Sequence, residues 1–184
     1  MIEFTAIDFE TANKYANSAC SVAIVQMQGT ICVQETYTLI KPPFMVFETP
    51  NVQIHGITPQ QVMHENKFDT LWPTLAPQLD KYIVVAHYAA FDMRVLRSLL
   101  KTYQLPKPTL RYMCTVELSR RVWPHLKNHK LDTLADMLGI SFQHHQALDD
   151  ARTCAKILCA AIEKVGAQSI EELVYHTGIS LKKL

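Results

Sequence analysis

A mixed α/β sheet of five strands, the first three antiparallel, flanked by helices, is the fold class this sequence predicts. Three observations predict it. Residues 2–40 hold three runs rich in branched and aromatic side chains, the second and third joined by the two-residue turn Gly29-Thr30. From residue 68 onward, short apolar runs alternate with longer segments of helical period. In the last long segment, Leu148, Ala151, Ala155, Leu158 and Ile162 step by three and four, which makes one apolar stripe.

The elements follow in order. Residues 2–9 alternate and predict the first strand, 19–28 the second and 31–40 the third, which Pro42-Pro43 ends. Residues 41–66 hold Pro42, Pro43, Pro50, Gly56 and Pro59 and predict a loop with short helical pieces. Residues 68–80 predict an amphipathic helix interrupted by Pro73 and Pro77. The apolar run 83–87 predicts a buried strand, and 90–104, with Val95, Leu96, Leu99, Leu100 and Tyr103, a helix. Leu110 to Cys114 predicts the last strand. Helices are expected at 115–122 and 131–138, the second closed by Gly139, and a long one from Ala147 to about Gly166. Ser169-Ile170-Glu171-Glu172 has the form of a capping box before a final short helix.

With 184 residues and no linker or repeat, one domain is expected, residues 1–184, with a core of about 3–165 and a short helical extension at 166–184. Hydrophobic content of 48% and charged content of 19% are those of an ordinary globular chain. No apolar run approaches the ~20 residues that span a bilayer, and Met1-Ile2-Glu3-Phe4 does not open a signal peptide, so a cytoplasmic protein is expected. Five cysteines without Cys-x-x-Cys spacing argue against a disulfide framework or a zinc knuckle. The net charge is only +1, but residues 94–130 hold nine of the 18 Lys and Arg against one acid, Glu117. Such a stretch fits a solvated face as well as a phosphate-binding one.

Three clusters carry the chemistry: Asp8-Phe9-Glu10-Thr11, His87 to Asp92, and His145 to Ala151. Asp8 and Glu10 are two apart on a strand, so both leave the same face. Alone, the pair fits an exposed strand end as well as a metal site. Asp92 falls in the first turn of a helix, where the dipole favours an acid whatever its function. Asp149 and Asp150 open the long helix. Asp150 lies beside the apolar stripe and is expected inward, Asp149 outward. His145 precedes this helix, with His144 beside it. Each cluster is ambiguous alone. Together they place acids at element ends in a pattern of hard oxygen ligands suited to Mg²⁺ or Mn²⁺, and paired ions of this kind serve phosphodiester hydrolysis.

These residues resemble the motifs of the DEDDh 3′→5′ exonucleases, which include the epsilon proofreading subunit of bacterial DNA polymerase III, ribonuclease T and oligoribonuclease. Asp8 to Thr11 matches the first motif, D-x-E-T/F. His87 to Asp92 matches the second, and His145 to Ala151 matches H-x-A-x-x-D-A at every fixed position. His55-Gly56-Ile57-Thr58 resembles the substrate-side H-G-I-T segment, Lys130 to Leu134 the K-L-x-x-L helix, and Cys114 to Glu117 the turn before the middle helices. The resemblance covers about residues 3–162. Where the second motif commonly carries Asn, this chain has Tyr88. Gln146 stands where the tyrosine class of the family has its tyrosine, so the histidine class is indicated.

The resemblance implies a ribonuclease H-like fold and a two-metal site. Asp8 would bridge two divalent cations, Glu10 and Asp150 would complete the site of the attacking water, Asp92 would support the second ion and His145 would be the general base. Thr11 and Ala12 would offer backbone groups to the terminal nucleotide, Ile57 and Phe91 would sandwich its base, and His55 would contact its sugar or phosphate. The substrate expected is the 3′ end of a single-stranded nucleic acid, DNA before RNA or short oligonucleotides, released as nucleoside 5′-monophosphates. Association with a polymerase or a second copy of the chain is left open by the residues. A non-catalytic nucleic-acid-binding scaffold is the alternative from another class. It is disfavoured because a scaffold has no need of mutually repelling carboxylates.

Overall fold

The computed structural model describes residues 1–184. The chain begins with a meander: β1 (Glu3–Thr11), β2 (Ala19–Gln28) and β3 (Ile31–Leu39). Gly29, at φ 60°, makes the turn between the last two. Then come α1 (Thr49–His55), α2 (Pro59–Val62), α3 (Phe68–Asp80), β4 (Ile83–Ala86), α4 (Ala90–Thr102), β5 (Arg111–Cys114), α5 (Thr115–Val122), α6 (Leu131–Leu138), α7 (Ala147–Val165), α8 (Ile170–Thr177) and β6 (Lys182–Lys183). The sheet has the order β3-β2-β1-β4-β5-β6, with β1, β4 and β5 parallel and the other pairs antiparallel.

Alternation along the central strands feeds two cores. Phe4, Ala6, Ala23, Val25, Val85 and Met113 face α5, α6, α7 and α8. Ile7, Phe9, Val22, Ile24, Val84 and Ala86 face α3 and α4. A third small cluster joins Ala12 and Cys20 to Ile57 and Val62 under α1 and α2. Asp8 and Glu10 continue the line of Phe4 and Ala6, so they emerge on the α7 side. The β1–β2 register shifts between Glu10 and Thr11, leaving Cys20 as the extra residue of a bulge beside the acids.

Three expectations are corrected. The sheet has six strands, since Lys182 and Lys183 pair with Tyr112 and Arg111. The extension after α7 therefore ends as a strand rather than only a helix. Two lysines carry no apolar alternation. What holds them is the free edge of β5, Leu184 buried in the α3–α4 core, and an ion pair from Lys182 to Glu117. Next, α3 runs unbroken through Pro73 and Pro77. Both prolines lie on its exposed face, where water can take the carbonyls they leave unpaired, while Phe68, Trp72, Leu75 and Leu79 bury the other face. Finally, the capping box before α8 is half formed. Ser169 Oγ accepts from Glu172 N at 3.0 Å, but the Glu172 carboxylate accepts from Gln168 N instead of closing on Ser169. No helix is long and apolar enough to cross a membrane.

Candidate active site

The acids converge at the C-terminal ends of the parallel strands. Carboxylate oxygens of Asp8, Glu10 and Asp150 lie within 4.8 Å of one another. Asp8 and Glu10 come from β1, and Asp150 from the first turn of α7, on the helix face that also buries Ala147, Ala151 and Cys154. Asp149 turns away. It accepts from Arg152 at 3.0 Å and from the backbone N–H of Gln143 at 3.2 Å.

Asp92 stands apart from this trio and is 1% exposed. Its Oδ1 accepts from the backbone N–H of Phe9 at 3.1 Å. The β1–β4 register ends at Ala6 and Val85, so β1 outruns its parallel neighbour and the helix-start carboxylate takes the N–H left free.

Burial raises the pKa of all four acids, and repulsion among them adds to it. Glu10 is pushed up to about 8 by burial, then by Asp150 and Asp92. Asp92 reaches about 8 through burial, against the lowering effect of the Phe9 N–H. Asp8 lies well above the usual carboxylate range, through burial and then the charges of Asp92, Glu10 and Asp150. Asp150 rises less freely because His144 opposes its burial. A bound divalent cation offsets this repulsion, and three hard oxygen donors at such spacing fit one, so Asp8, Glu10 and Asp150 form a candidate metal centre.

The two histidines divide the contacts with Asp150. The His144 Nδ1 lies 3.3 Å from both Asp150 oxygens, while His145 donates only its backbone N–H, at 3.1 Å. The two imidazoles stack at 3.8 Å. His145 takes φ 65°, a left-handed conformation that folds the two rings together, and no sequence signal announced it. His144, rather than the motif residue His145, is therefore the one whose ring meets an acid. Burial, then His144 and His55, lower the pKa of His145 and keep its imidazole neutral near pH 7.

The residues expected on the substrate side are largely occupied by the protein itself. The Thr11 carbonyl accepts from Asn51 Nδ2 at 2.9 Å and from His55 Nε2 at 3.1 Å. His55 Nδ1 accepts from Ile57 N–H, which fixes the tautomer that donates from Nε2. Ala12 donates to Ser18 O and accepts from Glu48 N–H, both at 2.8 Å. These Thr11 and Ala12 backbone groups are thus not free for a nucleotide, because the 13–18 and 46–55 segments fold back onto them. His55 and Ile57 are buried, Ile57 against Ala12, while Phe91 is half-buried at the edge of the α3–α4 core with Arg94 over its ring. Asn51 escaped the sequence reading, for an asparagine in a proline-rich loop carries no pattern.

Beside the acids opens a cleft of about 660 Å³ lined by His87, Tyr88, Arg120, Lys130, His144 and His145, among others. A larger cavity, about 790 Å³, lies at the other end of the sheet around Met1, Asp80 and Leu110 and holds none of these residues. Size does not mark the site here. The converging acids do.

Known proteins resemble this chain in sequence and fold. The RNase_T family model, described as an exonuclease, matches residues 3–158. The chain is 31% identical over 176 residues to the PolC-type DNA polymerase III of Thermotoga maritima, covering 92% of this chain but only 13% of that protein. It is 27% identical over 188 residues to the DNA polymerase III epsilon subunit of Aquifex aeolicus, covering 98% and 89%. Among solved structures, exonuclease X in complex with 5′-overhanging duplex DNA superposes with a TM-score of 0.77 at 25% identity, covering 95% of this chain and 99% of that one. The nuclease domain of 3′hExo, a DEDDh family member bound to rAMP, gives 0.77 at 14% identity and shares the fold. This mixed sheet flanked by helices is thus ribonuclease H-like, and the chain belongs to the RNase_T exonuclease family, hydrolases acting on phosphodiester bonds.

Proposed function

We propose that this chain is one exonuclease domain that removes nucleoside 5′-monophosphates from the 3′ end of single-stranded DNA with the help of two divalent cations, Mg²⁺ or Mn²⁺. The observation that carries the reading is the meeting of Asp8, Glu10 and Asp150 within 4.8 Å, beside a cleft lined by Tyr88, Arg120, Lys130 and the two histidines that flank Asp150. Bound cations would lower the pKa of a water and balance charge on the leaving oxygen.

The chain's own residues do the rest. Asp8, Glu10 and Asp150 hold the cations, and Asp92, one layer back, supports them while bracing β1 through Phe9. His145, neutral near pH 7, takes the proton of the attacking water. Its neutrality supports this role, because an imidazolium could not accept that proton. Thr11, Ala12, Ile57 and Phe91 wall the place of the terminal nucleotide. His55 acts there as a positioning residue, since both ring nitrogens serve the backbone.

The DNA preference is argued from relatives: exonuclease X is solved with DNA, and the epsilon and PolC-type proteins are parts of DNA polymerases. Those same relatives make association with a polymerase the partner to test. The test is a 5′-labelled single strand of DNA, and its RNA counterpart, with Mg²⁺ or Mn²⁺. We expect a ladder shortening from the 3′ end, faster for DNA, and none with Asp8→Ala. A wild type as inert as that variant would leave only the scaffold reading, and a faster RNA ladder would reassign the substrate.

A further inference from the structure

We propose that Tyr88 is a stacking platform for a base upstream of the scissile bond, with Arg120 and Lys130 holding the adjoining phosphates. The inference rests on the exonuclease reading and adds to it the path of the substrate strand.

The backbone is the first observation. Tyr88 sits between β4 and α4 at φ 64°, and its carbonyl accepts from Phe91 N–H at 2.9 Å, closing the turn that starts α4. The turn demands a left-handed residue. Asparagine and glycine accept that conformation, whereas a bulky aromatic resists it. A tyrosine here is therefore a strained choice.

Packing does not compensate the strain, because Tyr88 is 64% exposed. An exposed aromatic held in an unfavourable conformation beside a catalytic centre is the kind of outlier that accompanies ligand contact.

The surroundings fit single-stranded nucleic acid. Tyr88 lines the cleft shared by Arg120, Asn128, Lys130, His144 and His145. His144 and His145 touch Asp150, so the cleft adjoins the place where the 3′ end would be cut. Arg120 and Lys130 are exposed there. The one acid lining the cleft, Asp132, accepts from its neighbour Thr133 N–H at 2.7 Å. A second, smaller cleft shares Tyr88 and Arg120, so Arg120 serves both hollows, while Lys182 there is paired with Glu117. Aromatic faces between cations are how single strands are held without regard to base identity.

The floor is preorganised. His87 Nε2 donates to the His129 carbonyl at 3.1 Å while its Nδ1 accepts from Thr115 Oγ1 at 2.9 Å. Asn128 Oδ1 accepts from Lys130 N–H at 3.0 Å. These bonds fix the segment that carries Lys130 before any substrate arrives.

The test uses DNA single strands carrying 2-aminopurine at successive positions from the 3′ end, bound in Ca²⁺ to hold off hydrolysis. Wild type should quench the fluorophore at an upstream position. Tyr88→Asn should lose that quenching and raise KM for a 12-nucleotide strand by about tenfold, with kcat changed less. Tyr88→Phe should keep both. Arg120→Ala should lower the salt dependence of binding by about one phosphate contact. Because asparagine accepts the left-handed turn, Tyr88→Asn should melt at or above wild type, which excludes misfolding as the cause. Unchanged quenching at every position and an unchanged KM in an active Tyr88→Asn enzyme would overturn the proposal. A wild type that cuts no 3′ end would instead overturn the exonuclease reading, and the quenching pattern would still report on Tyr88.

Discussion

The backbone N–H of Phe9 donates to the buried carboxylate of Asp92 at 3.1 Å, joining the strand that carries two acids of the candidate metal centre to the helix that carries the fourth acid. One bond thus sets the spacing between β1 and α4 at the site. It also gives Asp92 a structural duty separable from its charge. Asp92→Asn keeps an acceptor for Phe9 and cannot ionise, so its thermal midpoint should equal or exceed wild type while hydrolysis falls. Asp92→Ala leaves the N–H unsatisfied and should cost about 1–3 kcal/mol of stability. Denaturant unfolding of both variants checks this. Equal destabilisation would mean the bond contributes nothing.

His144 and His145 should separate in function although their rings stack. Loss of a general base costs about 10²–10⁴-fold in rate, so His145→Ala should fall in that range. His144→Ala removes a partner of Asp150 that a cation can replace, and should lose less than about tenfold at saturating Mn²⁺. Single-turnover rates decide it. The reverse order would assign the base to His144.

Asp149 and Asp150 should differ just as clearly. Asp150→Ala should reduce hydrolysis to background. Asp149→Ala releases the Gln143 N–H and one bond to half-exposed Arg152, which amounts to about 0–1 kcal/mol, and should keep most of its rate. Rates measured side by side are the check.

Stability without metal should fall as pH rises from about 6.5 to 8. Glu10 and Asp92 hold protons up to about 8 in the folded chain, while unfolded carboxylates lose theirs near ~4. Raised folded-state values of this kind give stability that is present at low pH and lost on the way to the folded pKa. Below about 6.5 the effect is opposed by His87, whose burial lowers its pKa to about 4, so that an unfolded chain binds its proton first. Above that pH the imidazole is neutral in both states and the acids alone act. In chelator the loss across the window should be about 3 kcal/mol, roughly half from each group. Mg²⁺ or Mn²⁺ should restore more stability at pH 8 than at pH 6.5, because the ligands must shed protons to bind. Melting curves at the two pH values test it, and a flat profile in chelator would contradict the crowding of these acids.

Local pattern alone determined much of this protein. Strand alternation put Asp8 and Glu10 on one face, the three-and-four spacing of α7 turned Asp150 inward and Asp149 outward, and Gly139 and Gly166 end α6 and α7 in left-handed caps. These signals depend on the residue and its near neighbours, which is why they are legible. Tertiary structure decided the rest. Lys182 and Lys183 are a strand only because β5 offers a free edge, and α3 keeps its prolines only because they face water. Asp92 leans on Phe9 because β4 stops short, and His144 meets Asp150 because His145 takes a left-handed turn. In each case the deciding partner lies outside the local sequence pattern, and the deciding energy is that of a buried polar group finding its bond or of an unpaired one finding water.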